Sequence, residues 1–227
     1  MKVLGIETAT VVCGAALVKD GIVVRNEQIA EKNIHAESIM LLIDRVLKHA
    51  NMTVQSIDAL AVSIGPGSFT GLRIGLSVAK GLCYATGKPL VAVPTLRALA
   101  QRAVGEGAVS TSYILPAIDA RRDEVYCQLF RVNGGEALAE WDERDFAVGR
   151  LLEQLDGKSC TITGDGAQKI QRHAGEANLR FLSGPASECS AATVAKLGEQ
   201  MALRGEFVDS VTVEPKYVKE FYTKLSN

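Results

Sequence analysis

The chain has 227 residues, 47% of them hydrophobic and 22% charged, and its 25 Lys and Arg against 26 Asp and Glu give a formal net charge of −1. This apolar fraction is enough for a substantial core and excludes intrinsic disorder, and the balanced charge argues against a protein that binds nucleic acid without regard to sequence. The longest stretch without a charged residue, 59–72, is interrupted by Gly65-Pro66-Gly67 and is too short for a membrane-spanning helix, which needs about 20 apolar residues.

The N-terminus and the cysteines indicate the compartment. The first apolar run ends at the acidic Glu7 with no small-residue cleavage site after it, which does not fit a signal peptide. The five cysteines stand singly, with no Cys-x-x-Cys pair, at Cys13, Cys83, Cys127, Cys160 and Cys189. Such an odd, dispersed set predicts reduced, buried thiols, so we expect a cytoplasmic globular protein with no membrane contact.

The first half of the chain predicts alternating strands and helices, with strands marked by short apolar runs and helices by apolar residues three or four apart. In chain order the predicted elements are strands 3–6, 13–18 and 22–24, helix 35–50, strand 57–64, helix 71–85, strand 90–93 and helix 95–104. The pair Asp20-Gly21 predicts a hairpin between the second and third strands, because both turn positions need a positive φ.

The second half repeats this plan. Its predicted elements are strand 113–118 ending in Asp119, strand 124–132 closing on the hairpin pair Asn133-Gly134, helix 145–155, strand 160–163, a helix after Gly166 and helix 191–203. Glu7 precedes Gly21 by 14 positions and Asp119 precedes Gly134 by 15. We therefore expect a duplicated α/β unit with a cleft between two lobes, 1–104 and 105–205, and a C-terminal segment 206–227 that packs back on the first lobe.

Standard catalytic and metal-binding signatures are absent from the sequence. The segment 81–88 is only a near miss to a phosphate-binding loop, because Pro89 stands where the hydroxyl residue belongs. The sequence contains no G-x-S-x-G and no H-E-x-x-H, and His35-Ala36-Glu37 lacks the P-C-x-x-C of a zinc deaminase. The histidines, His35, His49 and His173, have no metal-ligand spacing, so we expect surface or capping residues and no built-in transition metal.

The glycine-rich segment 65–82 is the most informative part of the chain. Its strand-to-helix loop fits an anion site at a helix N-terminus, and equally a tight turn capped by Ser68 or Thr70. Gly71, Gly75 and Ala79 lie four residues apart and form a smooth stripe that another helix could approach closely. Packing inside the domain and a contact between subunits both fit this stripe.

Two further segments leave alternatives open. The segment 119–126 places acids and two arginines at a strand end, which fits a cleft or a solvated turn. Near the C-terminus, bases and aromatic residues interleave at Lys216, Tyr217, Lys219, Phe221, Tyr222 and Lys224. This pattern fits RNA contact by charge and stacking, or a tail that docks on the body of the protein.

Taken together, these segments resemble the bacterial TsaB (YeaZ) family. The matching stretches are LGIETAT at 4–10, HAESIMLLIDRVL at 35–47, the glycine-rich segment at 65–82, DARRDEVY at 119–126 and, more loosely, VEPKYVKEF at 213–221. The resemblance implies two similar lobes of the actin/Hsp70/sugar-kinase (ASKHA, RNase H-like) type, within a superfamily once labelled M22 glycoprotease. It also implies a part in the threonylcarbamoyl modification of tRNA adenosine 37.

In that family the catalytic subunit is the paralogue TsaD, which carries paired metal-binding histidines just after a strand of its first lobe. The corresponding stretch here, 90–99, contains no histidine. The resemblance therefore implies a non-catalytic subunit that binds and activates TsaD, assembled with the ATPase TsaE, reaching tRNA indirectly through the complex and forming a homodimer when alone. No intrinsic cofactor is expected, and ATP or ADP with Mg²⁺ is expected only in the assembled complex.

The resemblance also implies where the partner binds. In the family, the helices corresponding to 35–50 and 71–85 pack against their counterparts in TsaD or in a second copy. The interface residues predicted on this basis are Ile39, Met40, Ile43, Leu47, Gly71, Arg73, Gly75 and Ala79. Replacing Gly75 with arginine is then expected to leave a folded chain that no longer pairs.

The competing hypothesis is an ATP-binding, ATPase or kinase-like enzyme. Glu7, Thr8 and Thr10 stand where the first phosphate loop of this fold lies, and Gly164-Asp165-Gly166 resembles a second nucleotide-contacting turn. With Asp119 at the matching strand end, these residues form the predicted nucleotide cleft. A peptidase of the glycoprotease type is a third hypothesis, for which the sequence offers no recognisable machinery.

Overall fold

The structure is a computed structural model that describes residues 1–155, 157–175 and 178–218. Its first part contains, in order, β1 (Lys2–Glu7), β2 (Val12–Lys19), β3 (Ile22–Ala30), α1 (His35–His49), β4 (Ala59–Gly65), α2 (Phe69–Thr86), β5 (Leu90–Pro94) and α3 (Thr95–Gly105). These strands form one sheet in the order β3-β2-β1-β4-β5, in which β1, β4 and β5 run parallel. Every strand and helix predicted for this half is confirmed.

The second part contains β6 (Tyr113–Asp119), β7 (Glu124–Cys127), β8 (Phe130–Asn133), β9 (Glu136–Ala139), β10 (Arg144–Ala147), α4 (Val148–Gln154), β11 (Cys160–Thr163), α5 (Ala167–Gln171), β12 (Leu179–Phe181) and α6 (Ala191–Leu203). The second sheet has the order β10-β7-β6-β11-β12, with β8 paired to β6 and β9. The predicted mixed α/β fold with two sheet-centred lobes is confirmed.

Three predicted elements of the second half are corrected. The run 124–132 divides into β7 and β8, and residues 144–147 form β10, which pairs with β7, so that the following helix begins at Val148 and not at 145. The hairpin turn lies one residue later than predicted: Asn133 pairs with Glu136, and Gly134 and Gly135 take the positive φ angles of 58° and 84°. Two glycines satisfy this turn better than Asn133 with one glycine.

Helices cover both faces of the first sheet. On one face, α1 and α2 bury Ile39, Leu42 and Leu76 against β1, β2 and β4. On the other face lies α6, where it approaches β1 so closely that a Cβ on Gly5 would be 2.6 Å from the carbonyl oxygen of Ala191. The sequence places α6 in the second lobe, 105–205. The structure corrects this assignment, because α6 packs on the first sheet although it follows the second sheet in sequence.

The two lobes are joined through α3. Its residues Leu96 and Ala100 pack with Ile114 and Phe130 of the second sheet, while Ala98 packs with the core between α6 and the first sheet. The second sheet has a separate core against α4 and α5. This arrangement sets the ends of β1 and β6 on either side of a cleft.

Over the part that the structure describes, the C-terminal segment contacts the first lobe. The backbone N–H of Val208 donates to Leu90 at the edge of the sheet (2.9 Å), and that of Lys216 donates to Ile64 at the end of β4 (2.8 Å). We call residues 206–218 the C-terminal strap. Lys219, Phe221, Tyr222 and Lys224, the rest of the basic and aromatic pattern, lie outside the described residues.

All five cysteines are free and buried, as their spacing predicts. Burial raises the pKa of the Cys13 and Cys83 thiols to about 11, which makes both inert as nucleophiles at neutral pH. Within the described ranges, no helix is both long and apolar enough to cross a membrane.

Candidate functional site

A cavity of about 450 Å³ lies between the lobes, where the sequence predicts a nucleotide cleft. We call it the interlobe cavity. The loop after β1 contributes Thr10 and Val11, and the loop after β11 contributes Gly164 and Asp165. The other predicted cleft residues, Glu7, Thr8, Asp119 and Gly166, do not line it. The structure therefore brings together three of the seven residues.

Glu7 is sealed in the interior, although its place at the end of β1 fits the first phosphate loop. The side chain is fully buried. Its Oε1 accepts hydrogen bonds from the backbone N–H of Ala9 (2.6 Å) and the hydroxyl of Ser63 (3.1 Å), while Oε2 has no partner among the described residues. Burial raises the pKa of this carboxyl from its usual 4.5 to about 7. A carboxyl so enclosed cannot reach a bound metal or phosphate without opening the loop above it.

Thr8 is enclosed by the glycine-rich helix. A Cβ on Gly71 would be 2.1 Å from the carbonyl oxygen of Thr8, and one on Gly75 would be 2.1 Å from its Oγ1. The hydroxyl is buried without a hydrogen-bond partner in the described part of the chain. The two glycines of α2 are therefore needed for a close contact between this helix and the end of β1.

Asp119 and the turn after β11 form a second, self-contained cluster. The backbone N–H of Asp119 donates to the carboxylate of Asp165 (2.9 Å), and that of Gly166 donates to the carbonyl of Ala117 (3.0 Å). The Asp119 carboxylate in turn accepts from Lys169 Nζ at 2.7 Å. Lys169, the cation of this cluster, is thus paired with Asp119, and it does not line the interlobe cavity.

These residues do not fit a nucleotide with Mg²⁺. Polyphosphate binding uses cationic side chains or converging backbone N–H groups. No Lys or Arg is among the described residues that line the interlobe cavity, while Asp165 and Glu188 are. Among the described residues, there is also no group of three or more His, Cys, Asp or Glu side chains placed to hold a metal ion.

The sequence predicts that each histidine is a surface or capping residue. His49 and His173 are exposed, as predicted, whereas His35 is not a surface residue. His35 is buried at the start of α1, where its Nε2 donates to the carbonyl of Thr10 at 2.9 Å. This hydrogen bond fixes the loop after β1 to α1. His35 and Thr10 are 25 residues apart, so the hydrogen bond between them is seen only in the folded chain.

Most of the predicted interface residues point into the core. Ile39, Ile43 and Leu47 of α1 and Gly71, Gly75 and Ala79 of α2 are all buried within the chain. The expectation that these six form a partner-facing surface is corrected by their burial. The buried face of α2 is marked in the sequence by apolar residues three or four apart, Leu72, Leu76, Ala79 and Cys83. Gly75 lies on the same buried face.

The exposed faces of the same helices carry different residues. Met40, one of the predicted interface residues, is 49% exposed on α1 beside Leu41 at 58%. On α2, a second stripe of small residues, Ser77, Gly81 and Ala85, is exposed, and Tyr84 is 94% exposed. This second stripe is not predicted from the sequence, because two stripes of small residues with the same spacing lie on one helix.

Arg73, the other exposed residue of the predicted interface, is held in place by aromatic side chains. Its Nε donates to the hydroxyl of Tyr217 (3.0 Å), and its guanidinium lies 3.9 Å from the centre of the Phe69 ring. The Phe69 and Tyr217 rings are themselves 5.3 Å apart. Arg73 thus connects the first turn of α2 to the C-terminal strap.

With one sheet-centred α/β lobe on each side of a cleft, the chain has the ASKHA type of fold, which its solved structural neighbours share. A solved activator of 2-hydroxyisocaproyl-CoA dehydratase from Clostridium difficile, with bound ADPNP, shares this fold at a TM-score of 0.51 and 8% identity, covering 91% of this chain and 97% of that one. The solved YeaZ from Pseudomonas aeruginosa is far more similar, with a TM-score of 0.83 and 28% identity over 95% of this chain and 99% of that one.

The sequence comparisons identify the family. A family model described as TsaD, tRNA N6-adenosine threonylcarbamoyltransferase, matches residues 23–213. The tRNA threonylcarbamoyladenosine biosynthesis protein TsaB of Escherichia coli is 32% identical over 96% of this chain and 95% of its own length, and that of Bacillus subtilis is 33% identical over 71% and 69%. The chain belongs to the TsaB family of tRNA threonylcarbamoyladenosine biosynthesis proteins, which confirms the resemblance seen in its sequence.

Proposed function

We propose that this chain is a non-catalytic subunit that binds TsaD and activates it for threonylcarbamoyl transfer to tRNA. The observation that carries the proposal is the burial of Glu7: in a member of the TsaB family, the acid at the first phosphate loop is a sealed core residue. The stretch 90–99, where the resemblance places the metal-binding histidines of TsaD, has none. These two observations support a partner of the transferase and not the transferase itself.

The binding surface that we propose is the outer face of α1 and α2. Met40, Leu41 and Tyr84 expose apolar area there, and Ser77 and Gly81 leave the middle of α2 smooth enough for a partner helix to pack closely. Because α1 and α2 lie side by side on one sheet, a partner with two similar helices can form a four-helix contact. A second copy of this chain would use the same surface, so self-association would compete with TsaD.

The remaining partners in the proposal come from the resemblance to the TsaB family. In the proposal, TsaE joins the pair as the ATPase, and tRNA is reached through TsaD. The nucleotide and Mg²⁺ belong to the assembled complex and not to this chain alone. The site of action is the cytoplasm, where the tRNA substrate is found.

Reconstitution tests the proposal. Threonylcarbamoyl transfer to tRNA from an added, activated threonylcarbamoyl donor is measured with this chain alone, with TsaD and TsaE, and with all three together, under the same ATP and Mg²⁺. We expect no transfer by the chain alone and a rate with all three proteins well above that of TsaD and TsaE. Transfer or ATP turnover by the purified chain alone would overturn the proposal in favour of an enzyme.

A further inference from the structure

A second cavity lies beside the C-terminal strap, with walls from both lobes. Its volume of about 520 Å³ is within the range of roughly 300–1,000 Å³ that is usual for binding sites. Pro94 at the end of β5 lines one side, and Phe130 and Leu138 of the second sheet line the other. We call it the strap cavity. Its apolar walls favour an occupant with a large apolar side chain.

The strap ends in the wall of this cavity. Lys216 and Val218 line it, whereas Tyr217 between them points to α2, where its hydroxyl accepts a hydrogen bond from Arg73. Val218 is the last residue that the structure describes, and the sequence continues as KEFYTKLSN over 219–227. The candidate occupant that is nearest along the chain is therefore the segment that follows Val218.

Arg97 is a half-buried charge of this cavity that lacks a partner. It makes no hydrogen bond or ion pair with any residue that the structure describes, and Glu206, which it faces at longer range, is already in another ion pair. Among the other charged residues of the described lining, Lys216 pairs with Glu143, and Asp142 is exposed to water. The cavity therefore favours an occupant that brings a carboxylate to Arg97.

We propose that the strap cavity binds this chain's own residues 219–222, with the Glu220 carboxylate paired to the Arg97 guanidinium. Glu220 is the only acidic side chain in 219–227, and it stands two residues after Val218. An extended chain advances by about 3.3–3.6 Å per residue, so Glu220 is within reach of the cavity that Val218 lines. The charges of the cavity and of the segment are thus complementary.

The aromatic residue that follows Glu220 supplies the apolar part of the contact. Leu138 in the lining is 39% exposed, and the Phe221 ring covers it. Because one wall of the cavity belongs to the first lobe and the other to the second, the docked segment holds the two lobes together. The contact forms in the isolated chain and does not depend on pairing with TsaD.

The first test locates the segment by NMR in the full chain, with labelled leucine methyl groups and labelled phenylalanine rings. We expect nuclear Overhauser effects between the Phe221 ring and the Leu138 methyl groups, and Phe221→Ala identifies the ring signals by removing them. Mixing differently labelled chains shows whether the contact is made within one chain. Absence of these effects, or effects that arise only between two chains, would overturn the proposal.

The second test is a double-mutant cycle on the unfolding equilibrium of the full chain. Glu220→Gln keeps the size of the side chain and removes its charge, and Arg97→Gln removes the guanidinium. We expect each variant to raise the unfolding equilibrium constant about tenfold, and the double variant to raise it little further than either alone. Lys224→Gln, in the same segment, is the matched control and should show no coupling to Arg97. Additive effects of Glu220→Gln and Arg97→Gln, or equal coupling of Lys224→Gln to Arg97, would overturn the proposal.

Discussion

Gly75 of α2 lies directly against Thr8 at the end of β1, so that a Cβ on the glycine would be 2.1 Å from the threonine Oγ1. The contact explains why α2 tolerates a glycine in its middle, where it weakens a helix by roughly 0.5–1 kcal/mol. It also ties the helix that we propose for partner binding to the loop that borders the interlobe cavity.

Two glycines of α2 should respond in opposite ways to alanine. We expect Gly75→Ala to lower the free energy of unfolding by about 1–3 kcal/mol, because the new methyl group overlaps the buried Thr8 side chain. Gly81→Ala meets no atom within 4 Å and should raise stability by roughly 0.5–1 kcal/mol through helix propensity. Urea denaturation measures both variants, and a stabilising Gly75→Ala would show that the close contact is not maintained in solution.

Glu7 should make the free energy of unfolding fall as pH rises. A salt-bridged acid, whose pKa is lowered, has the opposite effect. Because burial raises its pKa from 4.5 to about 7, the folded chain keeps a proton over this interval that the unfolded chain releases. The resulting stabilisation is complete below pH 4.5 and is lost as pH rises to about 7, a difference of roughly 3 kcal/mol at about 1.4 kcal/mol per pH unit.

The matching measurement compares unfolding free energies of the wild type and Glu7→Gln between pH 4.5 and 8. Glutamine still accepts from Ala9 and Ser63 but cannot titrate, so stability of the wild type relative to the variant should fall across this range. Glu37→Gln, on an exposed carboxylate of α1, controls for the lost charge. Parallel pH profiles for the wild type and Glu7→Gln would show that Glu7 is ionised in the folded protein.

The C-terminal strap should contribute to stability through one ion pair. Lys216 Nζ lies 2.5 Å from Glu143, whose side chain is only 8% exposed, while the Lys216 backbone is bonded to the first sheet. Lys216→Met removes the cation from a buried carboxylate and should cost about 1–2 kcal/mol. Lys48→Met, which breaks the exposed pair with Asp44, should cost less than about 0.5 kcal/mol. Equal losses in the two variants would show that the strap is not held by this pair.

The strap also bears on the role of Arg73. Arg73→Ala should change stability by less than about 0.5 kcal/mol, since the side chain is exposed, yet lower tRNA modification by the reconstituted complex. Tyr217→Phe removes only the hydroxyl that Arg73 binds. If the two variants lower modification equally, Arg73 acts by holding the strap, and if only Arg73→Ala does so, its guanidinium meets the partner. Full modification with a large loss of melting temperature would assign Arg73 to folding.

The sequence predicts the central strands well because their signals are local. Apolar runs at β1, β4 and β11 and the Asp20-Gly21 turn need no information from distant residues, and the motif of the glycine-rich segment points to the family. The helix boundaries at α3 and α6 follow from the same periodicity. The order of elements could thus be predicted completely for the first half, whereas the short strands β9, β10 and β12 of the second half are not predicted and β7 and β8 are predicted as one strand.

What the sequence could not predict depends on contacts between distant segments. The direction of the Gly71-Gly75-Ala79 stripe is set by Thr8, and the return of α6 to the first sheet is set by close packing on Gly5. Likewise, the position of Glu7 at the end of a strand predicts a ligand-binding acid. Only the structure shows that its carboxylate is bound by Ser63 and the backbone of Ala9. Spacing gives the position of a residue on its helix or strand but does not say which face meets the core.

The central claim is that this chain acts on tRNA modification by pairing with TsaD through the exposed faces of α1 and α2, with no catalysis of its own. The most direct measurement is threonylcarbamoyl transfer by TsaD and TsaE in the presence of Gly81→Arg, which places a long charged side chain on the outer face of α2 without meeting this chain's own core. The account predicts a folded variant that neither co-elutes with TsaD nor raises transfer above that of TsaD and TsaE alone. A folded Gly81→Arg that stimulates transfer as fully as the wild type would contradict it.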